Sequence, residues 1–317
     1  MITSLGGGVG AGKFLKGLSS AVRRRANPPE KLSVIVNSAD DIRLFGLRIS
    51  PDIDTIIYWL SGMVDKRKGW GIKGDSFNFI KSAGVLGKEN WFNIGDRDLA
   101  THIVRTEMME GGMPLSGATR EIARLLGADE NADIMPMTDG RVETWLKTDE
   151  GEMHFQEYYI RRKMEPRVEE ITFRGMETAQ PAPGVIEAIR AADTVVFCPS
   201  NPVISTGPIL EVPGVRDELS RSRAVKAAVS PLVGGRALKG PADRLMKHKG
   251  IEASSLGVAE MYSDFIDLMV IDHADAALEG KIAALGMETL VTDTVMSSAE
   301  KSDSLARAVL EKADSLR

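Results

Sequence analysis

Apolar and β-branched residues gather in short runs along the chain. Between them lie stretches in which apolar positions recur every three or four residues. The runs LSVIVN (32–37), TVVFCPS (194–200), AVKAAVS (224–230), LMVIDH (268–273) and ETLVTDT (288–294) read as strands, and TSLG (3–6) as a short first one. They are almost continuously apolar, the pattern of strands covered on both faces. Helical periodicity occupies 11–25, 54–64, 97–110, 116–126, 184–192, 241–249, 255–265 and 298–316. This alternation predicts an α/β fold on a doubly wound, mostly parallel, Rossmann-like sheet. The stretch from about 130 to 175 differs: VETWLKT, EMHFQEYYIRR and VEEITFRG read as meandering strands. The expectation is therefore a single large α/β domain over 1–317 with a smaller inserted α+β region at about 130–175.

In such sheets ligands collect at the carboxyl ends of the strands, near the point where strand order reverses. Four loops of unusual chemistry fall there: SLGGGVGAGKF (4–14), NSADD (37–41), PSNP (199–202) and SPLVGGRALKGPA (230–242). In the first, Gly7, Gly12 and Lys13 fit G-x-x-x-x-G-K, but the next residue is Phe14, where a nucleoside-triphosphate loop needs a hydroxyl to ligate magnesium. Gly7, Gly8, Gly10 and Gly12 still permit tight turns and close approach of amides to an anion at a helix start. A phosphate cradle is the functional reading; a glycine-rich turn without ligand is the alternative. The partial dinucleotide fingerprint lacks its acidic partner about 20 residues on.

Acidic clusters accompany these loops. Asp40 and Asp41 in NSADD, and Asp52 and Asp54 in SPDIDT, are candidates for a divalent metal or a general base, while either member of the second pair is also placed to cap a helix. IGDRDLATH adds Asp96, Asp98 and His102, although a DRD run also suits a helix start with a surface pair. His102 and His154 read as structural. Ser200, Asn201, Ser205, Gly234, Gly235, Arg236 and Lys239 supply hydroxyls, amides and cations for an anionic ligand, against a reading as ordinary strand–turn–helix punctuation. Trp70 and Trp91 suit either ring stacking or packing.

Composition narrows the classes. At 317 residues and 43% hydrophobic content the chain can bury a sizeable core. A net charge of -5 supplies no basic field for nucleic acid. Arg23–Arg25 reads as a solvated helix end. The single Cys198 excludes an internal disulfide and fits a reducing cytoplasm. No apolar run nears the roughly 18 residues of a membrane span, and no signal peptide or Cys/His zinc spacing is evident.

Ten ordered segments resemble one family: GGGVGAGKFLKGL, VIVNSADD, LRISPDIDT, GWGI, WFNIGDRDLATHIVRT, MPMTD, HFQEYYIRR, PSNPVISTGPIL, VSPLVGGRALKGPADRLM and SSLGVAEMY. The chain is similar along this whole stretch to the CofD-like 2-phospho-L-lactate transferases of coenzyme F-420 biosynthesis. The resemblance implies transfer of a phospholactyl or phosphoenolpyruvyl unit from a guanosine diphosphate ester to the ribityl hydroxyl of the deazaflavin Fo, with release of GMP. It implies Mg2+, a homodimer, and Asp54 and Asn93 on the acceptor side, Asp54 being the catalytic candidate; Trp91 and Asp96, beside Asn93, are further acceptor-side candidates. The guanylate and phosphates then fall to the glycine loop with Lys13, to PSNP and Ser205, and to GGRALKG, with Asp40, Asp41 and Asp52 for the metal. Two rivals are a non-catalytic nucleotide-sugar-binding regulator of the same fold, against which GDRD and HFQEYYIRR count, and a P-loop-like kinase, against which Phe14 counts.

Overall fold

The apolar runs become a parallel sheet. The computed structural model describes residues 1–25 and 30–317. In it β1 (Ile2–Gly6) leads into α1 (Gly8–Arg25), then β2 (Leu32–Val36) and a hairpin of β3 (Ile42–Leu44) and β4 (Leu47–Ile49). Four helices follow: α2 (Pro51–Ser61), α3 (Asn78–Val85), α4 (Asp96–Glu110) and α5 (Leu115–Leu125). After β5 (Ala132–Pro136) come β6 (Glu143–Thr148), β7 (Gly151–His154) and β8 (Val168–Arg174). The second half runs α6 (Val185–Arg190), β9 (Thr194–Phe197), α7 (Thr206–Glu211), α8 (Val215–Arg221) and β10 (Val225–Val229). A small ribbon of β11 (Leu232–Val233) and β12 (Arg236–Ala237) precedes α9 (Ala242–His248), α10 (Ser255–Met261), β13 (Leu268–Asp272), α11 (Glu279–Ala283), β14 (Glu288–Thr292) and α12 (Ala299–Asp314).

Seven strands form one sheet in the order β14-β13-β10-β9-β1-β2-β5. Every adjacent pair is parallel. The first half winds outward from β1 through β2 to β5; the chain then returns to the other side of β1 and winds through β9, β10, β13 and β14. Order therefore reverses between β1 and β9. Two apolar layers cover the sheet, as its continuous apolar strands require. On one face α1 and α12 pack Phe14, Leu15, Leu18, Leu305 and Val309 against Val34, Val36, Val196 and Val270. On the other, Leu5, Ile35, Val195 and Phe197 meet Ile189, Ile209 and Leu219 of α6, α7 and α8. Phe14 is fully buried, so the residue that breaks the triphosphate motif anchors α1 to the sheet.

Two elements differ from the sequence reading. Residues 132–136 join the main sheet as its edge, pairing parallel with β2, rather than meandering with the segments that follow. Ala132 is half-buried and Asp133 exposed, as an edge strand allows, so the apolar run that remains is too short to stand out. EMHFQEYYIRR is a strand only to His154; a π-helix, Glu157–Arg161, follows. β6, β7 and β8 form a separate antiparallel sheet in the order β7-β6-β8. The arginines ending α1 each find a carboxylate: Arg23 pairs with Asp129, Arg24 with Asp303, and Arg25 with Asp314. Among the described residues no helix is long and apolar enough to cross a membrane.

Candidate active site

A cavity of about 710 Å³ opens at the carboxyl ends of the strands where the order reverses. The glycine loop, the 37–41 loop, the start of α2, the 199–205 loop and the 230–242 segment all contribute to its wall. So does the stretch Thr294–Ser297 after β14, which the sequence reading passed over although it follows a strand of the same sheet. Gly7, Gly8, Gly10, Lys13, Asp40, Asp52, Asp54, Asn93, Ser200, Asn201, Ser205 and Lys239 all line the cavity. Its apolar faces come from Trp70, Phe92, Phe155 and Tyr159. The π-helix brings Tyr159 flat against Phe155, with ring centroids 5.6 Å apart and planes 12° from parallel.

The glycines are here for close approach. Gly8 has φ +73°, a left-handed value that favours glycine. A Cβ on Gly10 would collide with the carbonyl oxygen of Pro199, and one on Gly7 with the carboxylate of Asp52. Two loop amides are already engaged: Gly7 N–H donates to Ser200 Oγ at 3.1 Å, and Gly8 N–H donates to Asp52. Ser200 Oγ donates in turn to Gly7 O at 3.0 Å, so its hydroxyl locks two loops together. What remains for an anion are the amides of the first turn of the 18-residue α1 beyond Gly8, where the helix carries partial positive charge, and two ammonium groups. Lys13 Nζ donates to Met296 O at 3.5 Å, and Lys239 Nζ donates to Lys68 O. Burial and the neighbouring Lys13 charge push the Lys239 ammonium below its ordinary value. Asn201 adds a donor: its Oδ1 accepts from Val203 N–H, while its buried Nδ2 has no partner among the described residues.

Against this glycine loop stands Asp52, with Asp40 close enough to feel its charge. Burial, then the charge of Asp52, raises the carboxyl of Asp40 well above the usual range. Burial raises Asp52 to about 6, although Asn37 and the Gly8 amide oppose the shift. Their hydrogen-bond partners are neutral: Thr144 Oγ1 donates to Asp40 at 2.9 Å, and Asn37 Nδ2 to Asp52 at 3.0 Å. Two buried, mutually repelling carboxylates on one cavity wall, without a cation among these partners, are a donor set suited to a hard divalent cation. The antiparallel sheet holds this loop in place, because Gln156 Nε2 donates to Asp40 O at 3.0 Å. His154 Nδ1 accepts from Gln156 N–H, so its Nε2 carries the proton and donates to Asp41 O at 3.1 Å.

Deeper in the cavity, α2 faces α4. Asp54 and Tyr58 are four residues apart on one helix; Asp98, His102 and Arg105 recur at helical spacing on the other. Arg105 grips Asp54 with both terminal nitrogens, Nη1 to Oδ2 at 3.0 Å and Nη2 to Oδ1. His102 lies between the two carboxylates, Nδ1 3.5 Å from Asp54 and Nε2 3.5 Å from Asp98. Tyr58 donates to Asp98 at 2.6 Å. Burial raises the Asp98 carboxyl, but bonds from His102 and Tyr58 prevail and hold it below its ordinary value. Burial and the Asp54 and Asp98 charges push the Tyr58 phenol well up. Ligand atoms of Asp54, Asp98 and His102 lie within 4.8 Å of one another, close enough for a metal. Arg105 already neutralises Asp54, however, whereas Asp40 and Asp52 have no such partner.

The structure corrects several expectations. Neither Asp52 nor Asp54 caps α2: Ser50 holds the N-cap position, and both carboxylates bond elsewhere. Asp41 lies outside the main cavity, accepting from Ser50 Oγ at 2.6 Å and lining a smaller pocket. Asp96 does not reach the cavity wall; it accepts from Ser76 Oγ and from the Asn78 and Phe79 amides at the start of α3, which holds it at about 2. Trp91 is also outside, its indole donating to Glu89, while Phe92 beside it faces the cavity. Gly12 gives room to the ring of Trp59. Gly234 and Gly235 form the positive-φ turn of the β11–β12 ribbon, Gly234 N–H donating to Asp275. His102, read as structural, lines the cavity. Tyr58 and Arg105 went unread, though polar residues at helical spacing around the DRD run were the signal to follow.

A sequence profile of the family described as "2-phospho-L-lactate transferase CofD" matches residues 2–310. The chain belongs to the CofD family. Among its relatives, the 2-phospho-L-lactate transferase of Methanosarcina acetivorans is 42% identical over 96% of this chain and 97% of its own length. The phosphoenolpyruvate transferase of Streptomyces griseus is 38% identical over 100% of this chain and 99% of its own. CofD proteins under both names are thus similar along the full length, and the family is one of transferases. A crystal structure of a UPF0052 family member from Bacillus halodurans, 16% identical, superposes over 98% of each chain with a TM-score of 0.65, so the two share the fold.

Proposed function

We infer that this CofD protein transfers a 2-phospholactyl or phosphoenolpyruvyl group from its guanosine diphosphate ester to the terminal ribityl hydroxyl of Fo, giving coenzyme F-420-0 or its dehydro form and GMP. The observation that carries this reading is one cavity whose wall combines a helix N-terminus and two lysines, two buried aspartates and several aromatic rings. The α1 N-terminus, Lys13, Lys239 and Asn201 suit the guanylate and diphosphate; Trp70, Phe92, Phe155 and Tyr159 suit a planar deazaflavin. Asp54 accepts the hydrogen bond of the attacking hydroxyl. The oxygen–phosphorus bond forms, the proton passes to that carboxylate, and GMP leaves with the electron pair of the broken phosphorus–oxygen bond. Such transfers depend mainly on positioning and charge neutralisation. Asp40 and Asp52 are the residues that would hold Mg2+, which when bound supplies positive charge to the phosphate oxygens.

The test is incubation of the protein with Fo, Mg2+ and each guanylated donor, read by mass spectrometry. The expected result is a phospholactyl- or phosphoenolpyruvyl-bearing deazaflavin with stoichiometric GMP. Binding of GDP with no product from either donor would instead support a nucleotide-binding regulator.

The paired aspartates also set a pH dependence. Both carboxyls are raised in the folded chain, Asp52 to about 6 from an ordinary 3.8. Below about pH 4 folded and unfolded chains are both protonated there; as pH rises the unfolded carboxylates ionise first, so the cation-free fold loses stability through the window from about 4 to 6. Mg2+ competes with protons for the pair. It should therefore raise the melting temperature at pH 8 and barely at pH 5, and Asp52→Asn should abolish most of the shift. Equal shifts at both pH values in calorimetry would contradict this placement.

A further inference from the structure

We propose that Arg105 is a positioning residue that acts on transfer through Asp54; the proposal rests on the acceptor-side reading of Asp54. Arg105 is the largest fully buried side chain, at 0% exposure. Burying a guanidinium is unfavourable unless its partners compensate, and apolar side chains of similar volume often serve stability as well. Its Nε has no acceptor among the described residues, so the site does not satisfy the guanidinium completely. What the side chain achieves is geometric. Its planar fork meets both oxygens of Asp54, which fixes the rotation of the carboxylate plane. His102 Nδ1 sits 3.5 Å from Asp54 Oδ2 and the same distance from Arg105 Nη1, so it packs against both members of the pair.

The geometry is built for direction. Asp54 and His102 line the cavity, whereas Arg105 stands behind them. Asp54 joins α2 to Arg105 of α4, which begins just after the cavity-lining Asn93. A carboxylate free to rotate would present its lone pairs to the hydroxyl in many orientations; one clamped from behind offers the same lone pair each time. Lysine keeps the charge at this place but cannot make the two parallel bonds. Arg105→Lys should therefore spoil orientation while retaining neutralisation.

The test compares two single variants and one double variant in transfer kinetics, with melting temperatures alongside. Arg105→Lys should lower kcat on the order of 10- to 100-fold and change the KM of the guanylated donor less than about threefold, because the donor does not touch this pair. Asp54→Asn should lower kcat further. The charge-neutral double variant Asp54→Asn, Arg105→Gln, which leaves no unpaired buried ion, should match Asp54→Asn within about threefold, since Arg105 has nothing left to orient. A merely structural Arg105 would give an additional loss in the double variant, and that result overturns the proposal. Wild-type kcat in Arg105→Lys overturns it too while leaving the Asp54 reading intact. Wild-type kcat in Asp54→Asn removes both. If Arg105→Lys does not fold, the comparison of Asp54→Asn with the double variant decides alone.

Discussion

Asp54→Asn should lower turnover on the order of 10²–10⁴-fold, the range for a positioned proton acceptor, while GDP affinity changes less than about tenfold. The amide keeps the shape of the side chain and removes the charge. Only the acceptor side should suffer, because the two lysines of the cavity wall belong to α1 and to the segment after β12, not to α2. The same substitution should also destabilise the fold. It leaves the guanidinium of Arg105 buried without its counter-charge, and breaking a buried pair from one side typically costs about 3–5 kcal/mol. Turnover must therefore be measured below the melting temperature of the variant, with folding checked at the assay temperature. A capping role would show near-normal turnover in Asp54→Asn and loss only in Asp54→Ala, but the side chain bonds to Arg105 rather than to the helix start. Normal transfer by the folded Asn variant would remove Asp54 from the chemistry.

The sheet was legible because its strands are covered on both faces. Ile2–Gly6, Leu32–Val36, Val225–Val229 and Leu268–Asp272 are buried at every position, and a continuous apolar run is the direct imprint of that burial. The edge strand Ala132–Pro136 was not separated from its surroundings, because only its last three residues are buried and an exposed acid, Asp133, precedes them. The cavity was legible for a different reason: parallel sheets expose their loops at one end, so polar loops after apolar runs converge there. What each loop does was harder to read. The glycines of 6–12 signal a backbone that something approaches closely, yet at Gly7 and Gly10 the approaching groups are Asp52 and Pro199 of the chain itself. The pairing of Asp54 with Arg105 spans 51 residues and two helices, and no local pattern encodes it. Only the helical spacing of Asp98, His102 and Arg105 hinted that α4 turns a charged face inward.

Replacing Lys13 and Lys239 together by Ala should weaken GDP binding by about 10²–10⁴-fold, with each single change giving roughly a tenfold to hundredfold loss. Hydrogen bonds to charged groups contribute about 1.5–3 kcal/mol, and every 1.4 kcal/mol is about tenfold in affinity. Sequence alone left Lys13 either beside the phosphates or merely at the surface. In the fold it lies one turn into α1 on the cavity wall, near enough to Lys239 for its charge to depress the second ammonium. Two like charges held together on the cavity wall are unfavourable in the absence of an anion, and an anion bound between them relieves the repulsion. Binding should therefore weaken as salt rises, and the double variant should lose most of that salt dependence. The groups Lys13 and Lys239 currently reach are the carbonyls of Met296 and Lys68, which water can satisfy, so the melting temperature should move little. Isothermal titration with GDP at two salt concentrations measures both effects. A double variant that binds GDP within about threefold of the parent, with an unchanged salt slope, would mean that α1 and the loop amides hold the phosphates without either lysine.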